Sequence, residues 1–77
     1  MNIKIYSTPT CPWCVLAKKY FNDKKIAFDD FNVAQDQEKA EEMVELSGQM
    51  GVPVIVIGDE VIVGFDKDKI ERALKKI

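Results

Sequence analysis

The chain has 77 residues, 47% hydrophobic and 31% charged, with a formal net charge of −2; this is the make-up of one soluble globular domain, residues 1–77, with a modest core. Scattered lysines and a lone arginine, Arg72, offer no basic stripe for nucleic acid, and the longest apolar run, Val52 to Ile57, is too short to span a bilayer.

Met1 leads straight into a strand-like segment, without a charged leader or an apolar signal region, so a cytoplasmic location is expected; the chain is also expected to be a monomer. Ile3-Lys4-Ile5-Tyr6 alternates and predicts a first strand. Thr8 to Thr10 is a loop, and a helix is expected from Pro12 to Lys25, because proline suits a first helical position. Cys14, Ala17 and Phe21 share one face of it, with Leu16 and Tyr20 alongside and Lys18 and Lys19 towards water. Ile26 to Val33 reads as a second strand with Ile26, Phe28 and Phe31 inward. Asp36 to Leu46 is a charged helix whose apolar stripe is Ala40, Met43, Val44 and Leu46, and Gly48 is suited to a left-handed cap. Val54 to Ile57 is continuously apolar, as a strand buried on both faces would be. Gly58-Asp59 fits a type II′ hairpin loop, and Glu60 to Val63 returns antiparallel. Gly64 breaks the strand. A last helix is expected from Asp66 to Lys76, capped by Asp66 or Asp68, with Ile70, Ala73, Leu74 and Ile77 facing in. The order βαβαββα predicts an α/β fold, a small mixed sheet with helices on both faces.

The only two cysteines are Cys11 and Cys14, and there is no histidine. A zinc site needs four ligands, or three and a water, which two thiols do not supply. A structural disulfide gains little from a two-residue loop and does not suit a cytosolic setting. A pair of buried core thiols is the bland reading. The remaining one is a redox-active dithiol, which C-x-x-C after a strand and at a helix start supports. Cys11 at the helix start meets free N–H groups and the positive end of the helix dipole. Thiol pKa values in such places fall to roughly 3.5–7.5. Cys14, one turn on, should be more buried and less acidic. Cys11 can then attack a disulfide and Cys14 resolve the mixed disulfide.

"CPWC" resembles the C-P-aromatic-C signature of the glutaredoxins. "GVPV" at Gly51 to Val54 is similar to the family's loop with a cis-proline facing the dithiol, and "VGFD" at Val63 to Asp66 to its glycine motif before the last helix. The resemblance covers essentially the whole chain. It implies a thioredoxin-like fold, a four-stranded mixed sheet flanked by three helices, and thiol–disulfide exchange at Cys11 and Cys14 with no tightly bound cofactor or metal. It implies a substrate-binding surface made of Thr8, Pro12, Trp13, Val52, Pro53, Gly64, Phe65 and Asp66. Val52 would pair with an extended substrate, and Trp13 would cover a partner or glutathione. Phe65 suits that groove or the core equally.

Departures from the family bear on the electron donor. Glutathione users typically carry Lys or Arg three residues before the first cysteine, where Thr8 stands. They typically carry a glycine pair where Val63-Gly64 stands. Asp66 or Asp68 could meet the glutathione amine, although Lys67 falls at the usual place. "GFDKDKI" is similar instead to short redoxins that donate electrons to ribonucleotide reductase and are recharged by thioredoxin reductase. Thioredoxin reductase and glutathione therefore both stand as donors, the first preferred. Ribonucleotide reductase, a peroxidase or a reductase module stand as protein substrates. The resemblance also brings an alternative, a glutathione-dependent [2Fe–2S] carrier in which each of two subunits gives one cysteine.

Overall fold

The computed structural model describes residues 3–49 and 51–75. The elements run βαβαββα: β1 (Ile3–Ser7), α1 (Pro12–Asp23), β2 (Asp29–Asn32), α2 (Gln37–Ser47), β3 (Val54–Ile57), β4 (Glu60–Val63) and α3 (Lys67–Lys75). The strands make one sheet in the order β2-β1-β3-β4. β1 is parallel to β2, with Ile5 opposite Asp30, and antiparallel to β3, with Ile5 opposite Ile55. β4 returns antiparallel on β3. This is the four-stranded mixed sheet with three helices that the element order predicts.

Strand alternation sorts the core into two layers. Ile3, Ile5, Ile55, Ile57 and Ile62 face Ala17 and Phe21 of α1 and Ile70 and Ala73 of α3. Tyr6, Val54 and Val56 face Met43 of α2 on the other side. All four residues of β3 are buried, as its unbroken apolar run requires of a central strand. Gly58 takes a φ of 59° while Asp59 does not have a positive φ, which agrees with the type II′ loop between β3 and β4.

The helix ends are set by local hydrogen bonds. Asp36 caps α2 by accepting from the Lys39 N–H at 3.1 Å, and Gly48 closes it at a φ of 74°. Asp66 caps α3 by accepting from the Lys69 N–H at 3.3 Å. Lys76 and Ile77, expected to continue that helix, lie outside the described residues.

The structure departs from expectation in α1, β2 and α2. α1 stops at Asp23 rather than Lys25 because Lys25 adopts a left-handed φ of 58°. Lys25 N–H donates to the Asn22 carbonyl at 3.0 Å and Ile26 N–H to the Phe21 carbonyl at 2.9 Å, the paired bonds of a Schellman ending. Ile26 and Phe28 then pack on the α1-side core before any strand begins, so β2 spans only Asp29–Asn32. On α2, Leu46 is exposed rather than part of the stripe. It lies roughly 60° of helix rotation beyond Met43, past the edge of the face that meets the sheet.

Candidate functional site

β1 delivers the chain to the start of α1, where Cys11 has extended backbone (φ −90°, ψ 115°) and Pro12 opens the helix. Proline forfeits no hydrogen bond there. Cys11 N–H donates to the Thr8 carbonyl at 3.4 Å, and the Cys14 N–H to the Cys11 carbonyl at 3.1 Å, so the loop and first turn fix the spacing of the two thiols. Both cysteines are free thiols, Cys11 partly exposed and Cys14 fully buried.

Their acidities separate. At Cys11, burial opposes the thiolate. The Cys14 backbone N–H, the Cys14 thiol and the Trp13 backbone N–H act against it and together hold the Cys11 thiol below its ordinary value. Burial pushes Cys14 the other way, to about 11. The Thr8 backbone N–H opposes this rise, the neighbouring Cys11 adds to it, and the Lys18 charge also opposes it. The pair is therefore an accessible, acidic thiol hydrogen-bonded to a buried, weakly acidic one.

The opposite wall comes from the turn before β3. The Val52–Pro53 bond is cis, as the resemblance to the family implies. Cys11 Sγ lies 3.8 Å from the Val52 carbonyl oxygen. Gly64 N–H donates to the Pro53 carbonyl at 2.8 Å, so the end of β4 is tied to the same turn. Gly64 has a φ of 82°, the left-handed region that favours glycine. Trp13 is 59% exposed beside the dithiol, in keeping with a residue at a loop tip.

Thr8, Pro12, Trp13 and Val52 thus border Cys11, and Pro53 and Gly64 belong to the turn that carries Val52. Phe65 and Asp66 have other contacts. The Phe65 ring meets Tyr20 edge-on at 5.9 Å and packs on the core, and the Asp66 carboxylate caps α3.

Lys18 does not simply face water. Its Nζ lies 2.9 Å from Asp30 Oδ2. Asp30 Oδ1 accepts from the hydroxyl of Ser7, a residue only 1% exposed. The Cys14-to-Lys18 spacing of four residues was the available signal, since such pairs neighbour one another on a helix. Asp30 could not be added without the β1–β2 register. Among the described residues there is no cluster of three or more His, Cys, Asp or Glu arranged for a metal, and no helix long and apolar enough to cross a membrane.

A family model described as Glutaredoxin matches residues 3–62. A glutaredoxin-like 8.6 kDa protein from the rubredoxin operon of Clostridium pasteurianum is 55% identical over 74 residues, covering 96% of this chain and 99% of that protein. Glutaredoxin 3 of Escherichia coli (strain K12) is 37% identical over 65 residues, 84% of this chain and 78% of that one. Among solved structures, the glutaredoxin-like protein NrdH-redoxin of Escherichia coli, described as having a thioredoxin-like activity profile, superposes with a TM-score of 0.83 at 32% identity, covering 94% of this chain and 93% of that one.

Proposed function

The chain belongs to the glutaredoxin family, whose members are thiol–disulfide oxidoreductases, and on that premise we propose that it reduces protein or mixed disulfides through Cys11 and Cys14. The observation that carries this reading is the asymmetry of the pair: a partly exposed thiol held acidic by N–H groups and the neighbouring thiol, beside a fully buried thiol near 11.

The Cys11 thiolate attacks one sulfur of a substrate disulfide. The other substrate sulfur leaves with the bonding electrons and takes a proton, and a mixed disulfide forms at Cys11. Cys14 then loses its proton and attacks Cys11 Sγ. The second substrate thiol departs, and a Cys11–Cys14 disulfide remains. Two electrons from a reductant restore the dithiol. An extended substrate segment reaching Cys11 runs beside Val52, whose carbonyl already borders the sulfur, while Trp13 offers an exposed ring to the partner.

The reductant in this reading is a thioredoxin reductase, with glutathione as the weaker donor. Thr8 supports this, because glutathione is an anionic peptide and Thr8 stands where a cation would greet it. The thioredoxin-like activity profile of the NrdH-redoxin of Escherichia coli points the same way. Ribonucleotide reductase and a peroxidase are the protein substrates to try first, in a cytoplasmic setting.

The test compares turnover of a disulfide substrate with NADPH plus thioredoxin reductase against NADPH plus glutathione and glutathione reductase. Faster turnover with thioredoxin reductase is expected. Faster turnover with glutathione overturns the donor assignment, and no turnover with either overturns the exchange reading. A brown absorbance after anaerobic purification with glutathione would favour the cluster carrier instead, which would draw on Cys11 alone from each chain.

A further inference from the structure

Resolution of the mixed disulfide demands a thiolate from the less acidic thiol of the pair. In the free dithiol, Cys14 can share its proton with Cys11. In the mixed disulfide Cys11 carries neither charge nor proton affinity, so Cys14 must ionise by itself inside the protein. Among the described residues, the groups that act on it are few. Cys11 stands at the start of α1 and Lys18 one turn beyond Cys14. Asp30 comes from β2, and the Thr8 backbone N–H points to the sulfur. The strands packed under α1 present Ile5 and Ile55 to its core-facing side, and α3 presents Ile70 and Ala73. The α3 carboxylate on this side, Glu71, accepts from the Tyr20 hydroxyl at 3.4 Å.

We propose that Lys18, anchored by Asp30 and through it by Ser7, is a positioning residue for the resolving step, its ammonium favouring the Cys14 thiolate that attacks Cys11. This rests on the exchange reading above and assigns a group to its second half. Asp30 is gripped at one oxygen by the buried Ser7 hydroxyl at 3.0 Å and at the other by Lys18 at 2.9 Å. A lysine held in this way keeps its ammonium where it acts on Cys14, four residues back on α1, whereas an unanchored side chain would sample many rotamers. Asp30 itself is negative and opposes a thiolate, but its charge is met by two partners. Burial, the largest hindrance to Cys14 ionisation, persists once Cys11 is bonded to substrate, but the effects of Cys11 itself, which also hinder it, are gone. Those of Lys18 and the Thr8 N–H, which favour it, remain.

The step balances simply. The Cys14 proton passes to water, the new sulfur–sulfur bond forms to Cys11, and the Cys11–substrate bond breaks. Its electron pair leaves on the substrate thiol, which takes up a proton. No further oxidant or reductant enters.

Stopped-flow reaction of the reduced protein with the aromatic disulfide 5,5′-dithiobis(2-nitrobenzoate) separates the two halves. The first coloured thiolate is released by Cys11 and the second by Cys14. In Lys18→Met the first release should stay within about twofold of the parent. The second should slow roughly three- to tenfold at pH 7, with its pH profile displaced upward by about half to one pH unit. Lys18→Arg should restore both. A second release unchanged in Lys18→Met overturns the proposal, as does one slowed equally at every pH, since a merely structural loss would not move the profile. Failure of Lys18→Arg to restore the profile also overturns it. A parent protein that gives no second release would sink the exchange reading itself, so the two failures are distinguishable.

Discussion

At the scale of single residues, the two thiols differ in burial across one helical turn. Cys11 ends the loop and is reached by N–H groups, whereas Cys14 is fully enclosed and weakly acidic. The pair therefore titrates in two macroscopic steps. Alkylation by iodoacetamide should modify Cys11 with a midpoint below about 8.5, the free-thiol value, and a midpoint at or above it would contradict helix-end activation. Part of the effect comes from the Cys14 thiol itself. Cys14→Ser keeps a hydroxyl donor and Cys14→Ala removes it, so the Cys11 midpoint should lie higher in the alanine variant than in the serine one. Cys14→Ser should also accumulate a mixed disulfide with its substrate, seen by intact mass spectrometry, while Cys11→Ser should not. Equal trapping by both would reverse the basis for the order of attack. This contrast in burial and acidity was legible in the sequence because helix starts, proline at the first position and a three-residue spacing are local facts.

Elements are bounded by bonds that composition does not announce. The end of α1 is the clearest case. A Schellman ending with lysine in the left-handed position carries no glycine to signal it, so the helix reads two residues too long and β2 three residues too early. Lys25→Gly should relieve that backbone cost and raise unfolding stability by about 0.5–1 kcal/mol in urea titration; a loss of stability would mean that Lys25 holds the turn by its side chain. The attachment of α2 is a second case. Tyr6 donates its hydroxyl to Glu42, which also pairs with Lys39 at 3.2 Å. The Lys39 ammonium lies over the Phe31 ring at 4.4 Å, and Phe31 packs on Tyr6 at 5.3 Å. The Tyr6 bond first, and then Lys39, hold the Glu42 carboxyl below its usual value. A depressed carboxyl stabilises the fold above its unfolded value, near 4.3, and that contribution is lost as pH falls through the folded value. Tyr6→Phe should therefore cost about 1–2 kcal/mol at pH 7 and distinctly less at pH 3. An equal loss at both pH values would assign the effect to packing instead.

Across the whole molecule, what the sequence could convey follows the range of the interaction. Alternation and apolar runs are local, and they locate the four strands, the doubly buried β3 and the two core layers. Pairings such as Tyr6 with Glu42, or Lys18 with Asp30, join residues far apart in the chain and exist only once strand register is set. The register in turn rests on the core, and a chain of 77 residues has little to spare. Its total stability should be about 4–12 kcal/mol at the usual stability per residue. Ile55 is fully buried at the centre of the α1-side layer, opposite Ile5 on β1 and Ile62 on β4. Ile55→Ala should cost about 2–5 kcal/mol and lower the thermal midpoint by at least ~10 °C for a domain of this size. Val63 sits on the neighbouring strand but is 51% exposed, so Val63→Ala should change stability by less than about 0.5 kcal/mol. The contrast tests the sheet rather than the sequence pattern, because both positions are equally apolar in the chain. Calorimetry showing similar midpoints for the two variants would mean that the layer around Ile55 is not the one that holds the sheet.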